Sequence, residues 1–81
     1  MTRWTLHYSR EVTAFLRSLG EEGSELREKI RELATEPKPD FCRRIPERQD
    51  YYEFEALGYW IGYQLVSDSR VVRVVLIEET F

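Results

Sequence analysis

A chain of 81 residues has room for one hydrophobic core and one domain. Its hydrophobic fraction of 42%, with 14% aromatic, excludes a disordered chain. A net charge of −3 makes the molecule as a whole repel a phosphate backbone, so any nucleic-acid contact must come from a local basic face. No apolar run approaches the roughly 18 residues that span a bilayer, and Met1-Thr2-Arg3-Trp4 opens without a signal-like apolar segment, so no membrane association and a cytoplasmic location are expected. Cys42 is the single cysteine and His7 the single histidine, which leaves neither an internal disulfide nor a metal-ligand cluster to write, so no metal and no cofactor are expected.

From Trp4 to Tyr8 the side chains alternate, Trp4, Leu6 and Tyr8 against Thr5 and His7, which predicts a first strand. Ser9 can cap a helix whose Val12, Phe15, Leu16 and Leu19 fall on one face. Gly20-Glu21-Glu22-Gly23 predicts a break. Ser24 then caps a second helix with a Leu26, Ile30, Leu33 and Ala34 stripe, ended by Pro37 and Pro39, and the two helices form an antiparallel pair.

The connector Asp40 to Gln49 is the most basic stretch, with Arg43, Arg44 and Arg48. Period two returns at Tyr51. Tyr52, Phe54 and Ala56 take one face, and Leu57-Gly58 is a tight turn into the strand from Tyr59 to Leu65. Ser67-Asp68-Ser69 is turn chemistry before a last strand from Arg70 to Ile77. Strict alternation puts Tyr52, Phe54, Ile61, Tyr63, Leu65, Val72, Val74 and Leu76 against the helices. It leaves Glu53, Glu55, Trp60, Gly62, Gln64, Val71, Arg73, Val75 and Ile77 on an open face that is acidic and apolar.

Three features run the length of the chain. They are Trp4 to Tyr8 before a helix with Phe15-Leu16, a second helix ending in Leu33 and Pro37, and Gly58-Tyr59-Trp60-Ile61-Gly62-Tyr63 opening a hairpin strand. In this order they resemble the RelE/ParE toxin superfamily of toxin–antitoxin modules. The resemblance implies an α+β fold of order β-α-α-β-β-β, with a helical hairpin packed on one face of a mostly antiparallel four-stranded sheet. It further implies a toxin neutralised by a cognate antitoxin, with the ribosome and mRNA or DNA gyrase as target, and a homodimer or hetero-oligomer as its assembly. Relatives that cut RNA use lysines and arginines to hold the scissile phosphate. Here Trp60 stands where arginine is usual, Glu53 and Glu55 stand where basic residues are usual, and the segment Glu78-Glu79-Thr80-Phe81 carries neither cations nor a tyrosine. The mismatch leaves catalysis unassigned and tilts the target toward a protein or an altered RNA mechanism.

Arg43, Arg44 and Arg48 read two ways. They contact phosphate, ribosomal RNA or an acidic partner, since guanidinium forks fit both anions, or they solubilise a loop beside Asp40 and Glu47. Glu53 and Glu55 have the spacing of a general-base pair, but read as a solvated strand face screened by Arg73. His7 reads as a surface histidine. Trp60, Val71, Arg73, Val75 and Ile77 form the expected partner-binding patch, because a tryptophan with several aliphatics on an open face marks protein contact. A non-catalytic binding module on the same fold is the competing functional reading.

Overall fold

A computed structural model describes residues 3–80. Strand β1 (Thr5–Tyr8) leads into helix α1 (Arg10–Leu19), and a 3-10 turn over Gly20–Gly23 joins it to helix α2 (Ser24–Arg31), which tightens into a second 3-10 turn over Glu32–Ala34. Strands β2 (Arg43–Arg44), β3 (Tyr51–Ala56), β4 (Tyr59–Val66) and β5 (Val71–Glu79) follow. The sheet runs β1-β5-β4-β3-β2, with β1 parallel to β5 and every other pair antiparallel. The expected sheet had four strands; the structure has five, because Arg43 and Arg44 pair with Glu53 and Tyr52 at the far edge. A strand of two residues carries no periodicity, so alternation could not announce it.

Both helix starts have the predicted chemistry only in part. The Ser9 hydroxyl accepts from the Val12 amide at 3.1 Å, as a cap should. The residue before α2 is Gly23 instead of a side-chain cap, and it turns the chain at φ −88° and ψ 4°, outside helical geometry. Arg27 closes the gap from the other side: its guanidinium donates to the Leu16 carbonyl at 2.6 Å and the Gly20 carbonyl at 2.9 Å, the orphan acceptors at the end of α1. Arg27→Met should lower stability by about 2 kcal/mol, since charge-assisted bonds to half-buried acceptors are lost. Hydrogen exchange at the last turn of α1 should accelerate with it.

The core is Val12 and Leu16 from α1, Leu26, Ile30 and Leu33 from the second helical segment, and Phe54, Ile61, Tyr63, Leu65, Val72 and Val74 from the sheet. Tyr63 is fully buried, stacks on Tyr52 with ring centres 5.9 Å apart, and donates its hydroxyl to the Pro37 carbonyl at 2.8 Å. That bond ties the segment after the helices to the middle of the sheet. Burial, and the neighbouring Cys42 thiol after it, push the Tyr63 phenol well above its usual value. The folded chain therefore keeps a proton that the unfolded chain releases as pH rises through about 10, so stability is lost above that pH. Urea midpoints at about pH 8 and about pH 11 should differ for the native chain and differ less for Tyr63→Phe.

The β3–β4 turn has Leu57 at φ 55° and Gly58 at φ 83°, the two positive values of a two-residue hairpin loop. Glycine takes this geometry freely; leucine does not. Leu57 is half exposed, so replacing it removes little packing. Leu57→Asn should raise stability by about 1 kcal/mol, read as a higher urea midpoint at unchanged slope.

Strand β5 departs from the expected alternation. Tyr63 pairs with Val74 but Gly62 pairs with Leu76, which leaves Val75 as the extra residue of a bulge. Beyond it the faces exchange. Ile77, expected on the open face, pairs with Ile61 and packs against the core; Leu76, expected against the helices, lies opposite Gly62 on the open face and is 41% exposed. Gly62 accommodates this: a Cβ there would sit 3.3 Å from the Leu76 Cβ.

Candidate functional site

The sheet face away from the helices is organised by the connector that leads into β3. Arg43 sits on β2 opposite Glu53, its Nε 2.7 Å from Glu53 Oε1, and its guanidinium lies 5.4 Å from the centre of the Trp60 ring. Arg48 lies over Tyr51 at 5.1 Å. Both arginines are therefore laid on aromatic faces of the sheet, which orders long side chains at little desolvation cost. Arg44 pairs with Tyr52 in the next row of the ladder, and it lines with Arg43 a cleft that also takes in Ile45, Pro46, Glu47 and Glu53.

Beside Arg48 and Tyr51 runs a groove of about 390 Å³ lined by Ile45, Arg48, Tyr51, Glu53, Gly62, Val75 and Leu76. Its floor is Gly62, where a missing side chain lets the Leu76 and Glu53 flanks stand above the backbone. Register puts Tyr51, Gln64, Arg73 and His7 in one row across β3, β4, β5 and β1. Arg73 donates to the Gln64 amide oxygen at 3.2 Å. His7, read from sequence as a surface histidine, is exposed and lies next to the Arg73 position.

The expected counter-charge for Glu53 was Arg73; the structure supplies Arg43 instead. That changes the electrostatics of the face. Arg43, Arg48 and Arg73 occupy it with Glu53 already paired, while Glu55 and Glu78 flank Trp60 in register. Trp60 is half-buried beneath Arg43 and is not a bare patch. Val71 and Val75 are half-buried on the same side, and Ile77 leaves the predicted patch altogether. Tyr51, Ile45 and Leu76 belong to the groove and were not singled out in the sequence reading; an interior glycine opposite a run of β-branched residues was the available sign of a bulge.

Such an arrangement can hold anions and flat rings together. Guanidinium forks accept phosphate or carboxylate oxygens, and Tyr51 and Trp60 offer π faces. Among the described residues no group of three His, Cys, Asp or Glu side chains comes together to hold a metal ion. No described helix is long and apolar enough to cross a membrane.

No family model matches the chain, and no curated protein matches it. Solved structures do. The isolated RelE toxin of E. coli superposes with a TM-score of 0.81 at 22% identity, covering 96% of this chain and 85% of that one. The chain has the RelE toxin fold. A RelE–RelB complex from Pyrococcus horikoshii matches at a TM-score of 0.79 and 18% identity, covering 96% of each chain. The RelBE2 toxin–antitoxin complex of Mycobacterium tuberculosis matches at 0.75 and 12% identity, covering 98% of this chain and all of that one. The match to this RelE-like fold covers nearly the whole chain, so the groove is built on the shared scaffold and not on an appended segment.

Proposed function

We propose that the chain is, as one domain, the toxin component of a type II toxin–antitoxin module, neutralised by a cognate antitoxin and acting through the open sheet face. The observation that carries this reading is the end-to-end likeness to RelE toxins together with two arginines held on aromatic rings of that face. RelE neighbours are seen bound to RelB antitoxin, which supports an antitoxin as this chain's partner.

Translation is the target that fits the open face. Arg43, Arg48 and Arg73 supply cations for a phosphate backbone, and Tyr51 and Trp60 supply surfaces on which bases stack. A second reading, inhibition of DNA gyrase by protein contact, draws on Glu55 and Glu78 beside Trp60 and on the exposed Leu76, with Val71 and Val75 as its apolar margin. Induced expression should arrest bacterial growth, and co-expression of the adjacent gene should relieve the arrest. Purified protein should block a reconstituted translation reaction and leave gyrase supercoiling intact. The reverse pattern would move the target to gyrase, and unimpaired growth at verified soluble expression would remove the toxin reading in favour of a non-catalytic binding module.

A further inference from the structure

At the β1 edge of the sheet a small cleft of about 190 Å³ is lined by His7, Tyr8, Ser9, Arg73, Val74 and Val75. Parallel pairing assembles it. Val72 and Val74 are fully buried in the core, so Arg73 between them leaves β5 on the face away from the helices, and His7 follows because it stands opposite Arg73 in the β1–β5 ladder. Both side chains are exposed. The Ser9 amide donates to the Val74 carbonyl at 3.0 Å, which carries the ladder one residue past β1 and brings Ser9 to the end of the cleft.

The charge balance of this corner differs from that of the rest of the face. The groove at Arg48 and the cleft at Arg43 and Arg44 both take in Glu53, whereas no carboxylate is among the residues that line this one. Among the described residues Arg73 makes no ion pair. Its Nη1 donates to the neutral Gln64 amide oxygen, which leaves most of the guanidinium fork without an acceptor. The Ser9 hydroxyl accepts from the Val12 amide and keeps its own proton to donate. Donors of three kinds therefore meet at one small recess, in a chain whose net charge is −3.

We infer that this cleft binds the dianion of a phosphomonoester, with oxygens on the Arg73 fork, the His7 imidazole and the Ser9 hydroxyl. The supply of acceptors selects the ligand class. A terminal phosphoryl group brings three free oxygens and close to two charges near neutral pH, which matches the donors present. A phosphodiester has fewer free oxygens, a single charge and a substituent on either side, which a recess of this size does not admit. A carboxylate would satisfy the Arg73 fork and leave His7 and Ser9 without a partner. The same chemistry has two sources, free inorganic phosphate and the 5′-terminal phosphate of an RNA strand; the second would anchor a strand end at this edge, with Gln64 and Tyr51 next in the row. Arg73 is one of the cations assigned above to the open face, so the site rests in part on that reading, whereas His7 and Ser9 do not.

The test titrates the whole chain, at constant ionic strength, with inorganic phosphate, with a 5′-phosphorylated uridine trinucleotide and with its 5′-hydroxyl counterpart, and follows backbone amide shifts. Inorganic phosphate should shift the amides of His7, Ser9 and Val74. Arg73→Gln and His7→Gln should each weaken its binding by about tenfold. Both residues are exposed, so folding should survive, which circular dichroism checks. Lys29→Gln, on α2, should change nothing. A preference for the 5′-phosphorylated trinucleotide over inorganic phosphate would make a strand end the source; the reverse preference would make it the free anion. Absence of binding by both phosphomonoester probes, binding that survives both glutamine variants, or equal binding of the 5′-hydroxyl trinucleotide would each overturn the assignment. Binding is read on purified protein and toxicity on growing cells. Loss of the first with growth arrest intact sinks this site alone, and unimpaired growth with phosphate still bound sinks the toxin reading alone.

Discussion

Phe54→Ala should remove about 3–5 kcal/mol of folding stability. Phe54 is 2% exposed in the centre of β3, with its ring edge-on to Tyr63 at 6.0 Å and to Phe41 at 5.4 Å. Truncation would take a large apolar surface from the core and leave a cavity that its neighbours cannot fill: Ile61 sits in the next strand at the paired position, and Tyr63 is fixed by its bond to Pro37. A domain of this size has a total stability of about 4–12 kcal/mol, so the variant should lose between a quarter and the whole of it. Urea denaturation followed by tryptophan fluorescence checks this. Phe41→Ala is the matched control, because that ring is 58% exposed; it should cost about 1 kcal/mol or less. Equal losses at the two positions would mean that the connector is packed more tightly on β3 than the structure has it.

Arg43→Glu should abolish growth arrest, with a loss of activity of at least about tenfold, while lowering stability by only about 1 kcal/mol. The substitution sets two carboxylates directly opposite across β2 and β3 and takes the cation off the Trp60 ring. Exchanging the charges, Arg43→Glu with Glu53→Arg, separates the two consequences. The ion pair is rebuilt in reverse, so stability should return to within about 0.5 kcal/mol of the native chain. Activity should stay low, since the guanidinium then rises from the middle strand of the groove instead of its rim. Thermal or urea melts and induced-expression growth curves, run side by side, give both readings. Recovery of growth arrest in the exchanged variant would make the pair a fastening and not a contact with the target.

The order of elements was legible because each helix and strand carries its own local signal. Val12 and Leu16 repeat at helical spacing, Phe54 and Tyr63 alternate with polar neighbours, and Gly58 marks the hairpin. Two things were not legible, for different reasons. Strand β2 is too short to show a period, and its existence depends on Glu53 and Tyr52 ten and eight positions away in the chain. The exchange of faces in β5 is marked only by Gly62 in the partner strand, since Val75, Leu76 and Ile77 are themselves suited to either side. The same blindness hid the real partner of Glu53. Its alternation predicted an open face correctly, but only the edge strand could bring Arg43 to it. Trp60 was placed on the right face and judged bare because a cation above a ring is a tertiary event.

The extra residue at Val75 also fixes how this chain should be compared with others. A strand that lacks it would present the same alternation up to Val74 and the opposite one afterwards, so an ungapped match through this stretch equates lipophilic interior positions with solvent-facing ones. Counting backwards from the Ile61–Ile77 partnership, in place of forwards from Val71, keeps the tail of the chain in phase. Similarity scores computed without that one-position offset would understate how closely the last strands of two such proteins correspond, and would seek their terminal functional groups on the wrong side.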